Sequence, residues 1–196
     1  MYRSFHIKNE IRVLGIDDSA LIRDKILLVG AFFRGGEWLD GVMRSYVTKD
    51  GMDSTDAIVE MARSSKHFGQ IRVIMLDGVT YAGFNPVDIN YTWEQTGIPV
   101  IVVMRAYPNF RKIEDALAYL PEPKKRMDII LKAGEITKVQ TKKRAQPVYI
   151  QHAGIEPEHA AKIVQFTATR SNIPEPLRVA HLIATGIVLG ESRGKA

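Results

Sequence analysis

The sequence contains no cysteine, and this absence excludes several kinds of chemistry at once. It excludes disulfide bonds, a thiolate nucleophile and zinc sites with cysteine ligands. The longest apolar stretch, residues 26–33, is also far too short to span a membrane. No apolar segment precedes the strand-like run that begins at Ile11, so we expect a soluble, cytoplasmic protein with no membrane partner.

Common nucleotide and hydrolase motifs are missing as well. The sequence has no Walker loop, no G-x-G-x-x-G turn and no G-x-S-x-G elbow, so a serine-triad hydrolase is unsupported. Any catalysis must rest on carboxylates, histidines, hydroxyls or lysines. The 196 residues suit one domain, residues 1–196, and the net charge of +5 favours a polyanionic partner such as nucleic acid.

Hydrophobic periodicity predicts three strands and a helix in the first third, followed by alternating strands and helices. The early strands are 12–17, 26–34 and 37–48, with a hairpin turn at Gly35 and Gly36, and the helix is 54–66. The later elements are strand 71–76, helix 86–95, strand 99–104, helices 113–120 and 124–131, strands 136–141 and 147–151, and helices 157–170 and 176–189. Such alternation indicates parallel crossovers.

This element order predicts an α/β fold of the RNase H-like type. We expect a mixed five-stranded central sheet with flanking helices, plus a small C-terminal extension of strands and helices. In such a sheet the first strand lies centrally beside the fourth, about 4.8 Å away. Asp17 and Asp77 end these two strands, and we expect them to face one another at the edge where open α/β sheets bind ligands.

Two carboxylates this close repel each other, which favours a divalent cation between them. Mg²⁺ or Mn²⁺ fits a sparse set of oxygen ligands. Asp53 and Asp56 are candidates for a third acid, and Asp53 is nearer the strand edge, although both are also ordinary residues for a helix start. Strand alternation predicts that only one of Asp17 and Asp18 points into the site, and we prefer Asp17.

Several segments carry a family resemblance. The runs VLGIDDS, IMLDGVTYAGFN, GIPVIVVMR and IPEPLRVAH resemble, in this order, segments of endonuclease V. The whole chain resembles the archaeal endonuclease dU family still more closely, through GIDD, FRG, LDG, AGFN, PEPLR, AHLIA and a closing GES.

The resemblance implies roles for individual residues. Asp17 and Asp77 would be metal ligands, and His181 would be the histidine of the late helix close to the metal. Arg105 stands where endonuclease V has a lysine near the scissile phosphate, which keeps the charge and changes the donor geometry. The helix-start glutamate of endonuclease V has no glutamate counterpart, and Asp53 takes that role by position alone.

Other residues are candidates for binding the substrate. Gly83, Phe84 and Asn85 suit a tight loop that approaches a ligand closely, or a plain turn. Arg178 shares a helix face with His181. The hairpin at residues 34–38 replaces the Pro-Tyr-Ile-Pro wedge with which endonuclease V opens a duplex, and its Trp38 is either a stacking residue for a base or a packing residue.

We therefore expect a metal-dependent endonuclease that hydrolyses phosphodiester bonds near a deaminated base, uracil or hypoxanthine, as in DNA repair. The expected partner is nucleic acid, with DNA ahead of RNA. A nucleic-acid-binding module with the same fold and no catalysis is the alternative. The sequence leaves open the base, the kind of nucleic acid and the oligomeric state.

Overall fold

A mixed β-sheet carries the core of the protein. The computed structural model describes residues 7–193, and all elements given below lie in that range. The sheet consists of β1 (Arg12–Asp18), β2 (Lys25–Arg34), β3 (Trp38–Thr48), β4 (Val73–Asp77), β7 (Val100–Met104), β8 (Thr137–Val139) and β9 (Val148–Ala153). A separate ribbon consists of β5 (Thr80–Tyr81) and β6 (Asn85–Pro86). Within the described residues the main sheet has seven strands in the order β3-β2-β1-β4-β7-β9-β8.

The strand directions explain the position of the acidic residues. β1, β2 and β3 form an antiparallel meander, whereas β1, β4 and β7 are parallel neighbours. β9 and β8 then extend the sheet antiparallel to β7. β4 and β7 are continuous apolar runs, as expected for parallel strands that are covered on both faces. Their carboxyl ends, together with that of β1, meet at one edge of the sheet.

Helices cover both faces of the sheet. They are α1 (Ser54–Arg63), α2 (Ile89–Thr96), α3 (Phe110–Leu117), α4 (Pro123–Lys132), α5 (Pro157–Thr167) and α6 (Glu175–Leu189). Asp88 and Asn109 cap α2 and α3 by accepting backbone N–H bonds in the first turn. Proline occupies the first turn of α4, α5 and α6, where its missing N–H is not needed.

Helix α6 lies directly on the central strand β1. Its apolar residues Ala180 and Ala184 pack on Val29 and Ala31 of β2. At its start, Pro176 lies so close to Gly15 that a Cβ on Gly15 would be 2.5 Å from the Pro176 carbonyl carbon. Glycine at position 15 therefore permits the close contact that brings α6 over the carboxyl end of β1.

The predicted order of the first five main-sheet strands is confirmed, including β1 beside β4. The two late strands, expected as a small extension, instead continue the same sheet because β9 pairs with β7. The ribbon β5–β6 was not predicted. Because β6 includes Pro86, the helix predicted at 86–95 begins later, at Ile89. Across residues 7–193 no helix combines the length and apolarity needed to cross a membrane.

Candidate active site

A pocket of about 450 Å³ lies at the carboxyl ends of β1 and β4. This is the edge at which open α/β sheets bind ligands. Its lining residues come from β1 and the following loop, from the ends of β4 and β7, from α6 and from the segment after α6: Asp17, Asp18, Ser19, Ala20, Asp77, Arg105, His181, Thr185, Leu189 and Arg193. The structure thus brings together four of the predicted site residues, namely Asp17, Asp77, Arg105 and His181.

Asp17 is paired with His181 across the contact between β1 and α6. Nδ1 of His181 lies 2.8 Å from Oδ2 of Asp17, and its Nε2 lies 3.0 Å from the carbonyl oxygen of Arg193. The second carboxylate oxygen of Asp17 accepts the N–H of Asp18 at 2.8 Å. When Asp17 is ionised, both partners of the imidazole are acceptors, so the doubly protonated ring satisfies both contacts.

Asp77 is paired with Arg105. Nη2 of Arg105 donates to Oδ2 of Asp77 at 2.7 Å, which links the ends of the neighbouring strands β4 and β7. The Asp77 side chain is mostly buried, whereas the Arg105 side chain is 37% exposed. The guanidinium therefore has both an anchor in the pocket and access to solvent.

Asp18 also lines the pocket, and which of Asp17 and Asp18 would serve as the ligand stays a prediction. The Asp18 carboxylate is held there by a short hydrogen bond from the N–H of Ala82, in the loop between β5 and β6.

Tyr81 was not predicted as a site residue, and it connects the strands that carry the acids. Its hydroxyl donates to the carbonyl of Ile16 at 2.9 Å and accepts the N–H of Asp77 at 3.0 Å. The side chain is fully buried, and burial raises the pKa of Tyr81 well above its usual value of 10, so the hydroxyl remains a donor.

Burial changes the acidity of the whole cluster. It raises the pKa of Asp17 to about 7, aided by the charges of Asp77 and Asp18 and opposed by the hydrogen bond with His181. Burial likewise raises the pKa of Asp18 to about 6. It also raises the pKa of Asp77, although Arg105 acts in the opposite direction. The pKa of His181 is raised, chiefly by its hydrogen bond to Asp17. A cation in this pocket would therefore compete with protons near neutral pH.

Asp53 lies outside the residues that line the pocket. Its carboxylate accepts the N–H and hydroxyl of Thr48 and the side-chain amide of Asn85, and it faces Lys25 at 3.8 Å. Burial raises the pKa of Asp53, but these hydrogen bonds outweigh it and the pKa lies below its usual value. The alternative, Asp56, is exposed on the first turn of α1. The geometry gives Asp53 a local structural role, and its role as a metal ligand stays a prediction.

The segment Gly83, Phe84 and Asn85 is also held away from the pocket. The N–H of Phe84 donates to Asp50, and a Cβ on Gly83 would collide with the same carboxylate. The buried side chain of Asn85 bonds the N–H of Ser54 and the carbonyl of Thr48. These contacts match the plain-turn alternative, because they fix the ribbon to the start of α1. Contact of these residues with substrate stays a prediction.

Two further substrate candidates lie elsewhere. The guanidinium of Arg178 forms a two-point ion pair with Glu175 within α6 and does not line the pocket.

Trp38 is 64% exposed at the hairpin between β2 and β3. It lies opposite Arg34 of β2, which is paired with Arg12 at the amino end of β1. Asp17 lies five positions after Arg12 in β1, a distance of roughly 16 Å along the strand. Stacking of Trp38 on a base stays a prediction, and the base would lie at the opposite edge of the sheet.

The remaining lining residues were missed as site residues for a common reason. Ser19, Ala20, Leu189 and Arg193 are in loops or near helix ends, and no periodicity marks them. Thr185 lies one turn after His181 in α6, and its hydroxyl donates to the His181 carbonyl at 2.7 Å. Tyr81 carried a weak signal, since it lies four residues after Asp77, the acidic end of β4.

The pocket suits a hard divalent cation better than a softer metal, because the acidic side chains that could bind one offer carboxylate oxygens. Across residues 7–193 no three ligand side chains form a ready-made cage. Oδ2 of Asp17 is hydrogen-bonded to His181, and Oδ2 of Asp77 accepts a hydrogen bond from Arg105. Few carboxylate oxygens therefore remain for a cation. Mg²⁺ typically takes one or two protein carboxylates and keeps several waters. The residues present fit such an ion at Asp17 and Asp77, with Asp18 beside them.

Sequence comparison agrees with the family resemblance. The sequence profile described as endonuclease dU matches residues 9–188. A UPF0215 protein of Methanosarcina barkeri is 61% identical over 192 residues, which cover 98% of each chain. The suspected relationship is thereby confirmed.

Structure comparison gives the same fold. A crystal structure of a protein of unknown function from Archaeoglobus fulgidus matches with a TM-score of 0.82 and 40% identity, over 90% of this chain and 97% of the other. Ciona intestinalis endonuclease V, in complex with a 24mer DNA containing an inosine followed by a ribo-adenosine, matches with a TM-score of 0.59 and 15% identity. That match covers 91% of this chain and 86% of the other. The predicted RNase H-like α/β fold is confirmed, and family and fold together support a nuclease that acts on nucleic acid.

Proposed function

The chain belongs to the endonuclease dU family, and we propose from this premise that it is a metal-dependent endonuclease that cleaves nucleic acid beside a deaminated base. The observation that carries the proposal is the convergence of Asp17, Asp18 and Asp77 with Arg105 and His181 in one pocket. Acids that collect at the carboxyl ends of parallel strands, beside a partly exposed arginine, suit a phosphodiester as substrate.

Asp17 and Asp77 would hold Mg²⁺ or Mn²⁺. The bound cation would supply an activated water at neutral pH and would compensate charge on the phosphate. The hydrolysis adds water to phosphorus and breaks the bond to the leaving sugar oxygen, which takes up a proton. The rest of the pocket has to place the phosphate and keep the two carboxylates in position.

Arg105 is suited to bind the scissile phosphate. Its Nη2 donates a hydrogen bond to Asp77. The guanidinium has further N–H donors, arranged in a plane that matches the oxygens of a phosphate. His181 orients Asp17 through the hydrogen bond between them. As an imidazolium it also adds positive charge near the anionic substrate. Both cations reduce the repulsion between the acidic pocket and a phosphate.

Uracil and hypoxanthine are the deaminated bases that we propose as targets. The family's name points to deoxyuridine, and the DNA bound to Ciona intestinalis endonuclease V contains inosine, the nucleoside of hypoxanthine. We propose DNA ahead of RNA as the partner; the strand in that complex is DNA with a ribo-adenosine after the inosine. Removal of deaminated bases from DNA would place the reaction in DNA repair.

Cleavage of labelled oligonucleotides tests the proposal. DNA and RNA strands that contain uracil, hypoxanthine or no damaged base are incubated with Mg²⁺, Mn²⁺ or EDTA. Wild type is compared with Asp17→Asn and Asp77→Asn, and Asp56→Asn serves as the matched control because Asp56 is exposed outside the pocket. We expect metal-dependent cleavage near the damaged base in wild type and Asp56→Asn, and none in the two pocket variants.

Full activity of Asp77→Asn would contradict the assignment of the site. Metal-independent cleavage that survives in both pocket variants would assign the activity to a different nuclease. Binding of the oligonucleotides without cleavage under any metal condition would favour the alternative function, a nucleic-acid-binding module with the same fold.

A further inference from the structure

The hydrogen-bond ladder between β1 and β4 stops just before the acidic pocket. Its last paired residues are Ile16 and Leu76, although both strands continue by at least one residue. On its other side β4 stays paired with β7 as far as Asp77 and Val103. The pairing of β1 with β4 therefore ends just before Asp17 and Asp77, which line the pocket.

The Tyr81 hydroxyl lies in this separation. It accepts the N–H of Asp77 at 3.0 Å and donates to the carbonyl of Ile16 at 2.9 Å. In a regular parallel ladder an N–H of one strand donates directly to a carbonyl of its neighbour. Here two hydrogen bonds through one oxygen replace that single bond, so the strand ends are held further apart.

The residue after Tyr81 shows that this segment is under constraint. Ala82 has a φ of 47°, in the left-handed region that L-residues other than glycine rarely adopt. Its N–H donates to Asp18 and its carbonyl accepts the N–H of Asp50. A conformation of this kind persists where the surrounding contacts determine it, and such positions concentrate at functional sites.

We propose that Tyr81 is a positioning residue whose hydroxyl sets the separation of Asp17 and Asp77 and thereby their affinity for a divalent cation. Tyr81 and Ala82 together contact the surroundings of all three pocket acids. They bond the backbone N–H of Asp77, the carbonyl that precedes Asp17 and the side chain of Asp18. This inference rests on the proposed metal-dependent function, and it names the residue that fixes the geometry of the site.

The test replaces Tyr81 with phenylalanine and measures Mn²⁺ binding by calorimetry, independently of cleavage. Loss of the hydroxyl leaves the Asp77 N–H and the Ile16 carbonyl either unpaired or drawn together, and we expect either outcome to shift the backbone that carries Asp17 and Asp77. Partners that orient metal ligands typically change metal affinity by roughly 10- to 100-fold when mutated. We expect the Mn²⁺ dissociation constant to rise at least about tenfold. Cleavage should fall at low Mn²⁺ and recover at high Mn²⁺, with little change in the KM for the oligonucleotide.

Thr167→Val is the matched control. It also removes a buried hydroxyl, one that donates to the Ile163 carbonyl in α5, away from the pocket. It should lower thermal stability in EDTA and leave Mn²⁺ affinity at the wild-type value. Tyr81→Met, which also lacks the hydroxyl, repeats the titration should the phenylalanine variant fail to fold.

The outcomes separate this inference from the proposed function. Wild-type Mn²⁺ affinity in a Tyr81 variant, even one with reduced thermal stability, would show that Tyr81 is structural only and overturn the inference while the nuclease assignment stands. If wild type itself bound no Mn²⁺ and cleaved nothing, the proposed function would fail first, and the inference with it.

Discussion

Gly15 on β1 and Pro176 on α6 touch at a distance that leaves no room for a side chain at position 15. A Cβ there would lie 2.5 Å from the carbonyl carbon and from the Cβ of Pro176. His181 is in the same helix and is hydrogen-bonded to Asp17, two residues after Gly15. The contact between Gly15 and Pro176 therefore helps to position His181 relative to Asp17.

Gly15→Ala should therefore impair the site as well as the fold. The new methyl group meets backbone atoms that cannot rotate away, so α6 must shift, and overpacking of this kind costs roughly 1–3 kcal/mol. We expect a lower unfolding temperature and a loss of cleavage activity. Gly30→Ala is the control, because its closest contact is the flexible end of Met61, on the other face of the sheet. Equal behaviour of the two variants in thermal unfolding and cleavage would contradict the prediction.

The metal-free protein should lose stability as the pH rises from about 4 to about 7. Burial raises the pKa of Asp17 to about 7 and that of Asp18 to about 6, both above the usual 3.8. The folded state then binds more protons than the unfolded state over this interval, so the free energy of unfolding falls with increasing pH.

Urea unfolding in EDTA at several pH values measures this effect. Asp17→Asn, which has no carboxyl group to ionise, should show a smaller decrease than wild type across the same interval. A decrease of the same size in both proteins would show that Asp17 is not the source.

Arg105 should be needed for cleavage more than for stability. Arg105→Ala removes the donor on Asp77 and the proposed phosphate contact, and loss of one such donor lowers the rate on the order of 100-fold. Arg105→Lys should recover part of the loss, since lysine keeps the charge without the planar fork. Because the ion pair is partly exposed, the free energy of unfolding of Arg105→Ala should differ from that of wild type by no more than about 1 kcal/mol. Arg72→Ala, at the opposite end of β4, should cleave like wild type in the same kinetic assay.

Asp53 and Asp17 should respond differently to the same substitution. The Asp53 carboxylate is engaged by Thr48 and Asn85, so Asp53→Asn should lower stability by roughly 1 kcal/mol and leave Mn²⁺ affinity unchanged. The sequence-based assignment of Asp53 as a third ligand requires the opposite result. Calorimetric Mn²⁺ titration of Asp53→Asn beside Asp17→Asn distinguishes the two.

The sequence pattern predicted where Asp17 and Asp77 lie but not what surrounds Asp53. Apolar runs that end in acid identified β1 and β4, and their parallel pairing brought Asp17 and Asp77 to one pocket. Asp53 was placed by its position at a helix start, which does not reveal that Thr48 and Asn85 bind its carboxylate. Periodicity describes residues within one element. Contacts between separate elements, such as those of Tyr81 and Ala82 with β1 and β4, depend on tertiary geometry that no local pattern encodes.

His181 should set the lower pH limit of cleavage. Its hydrogen bond lowers the pKa of Asp17 against the effect of burial, so His181→Ala should raise that pKa further. Asp17 must be ionised to hold a cation, and the acidic limb of the pH profile of kcat/KM should therefore move to higher pH. Thr185→Val is the control, because Thr185 lines the same pocket and bonds only backbone carbonyls among the described residues. An acidic limb that stays in place in His181→Ala, with reduced activity at all pH values, would mean that His181 acts on the substrate and not through Asp17.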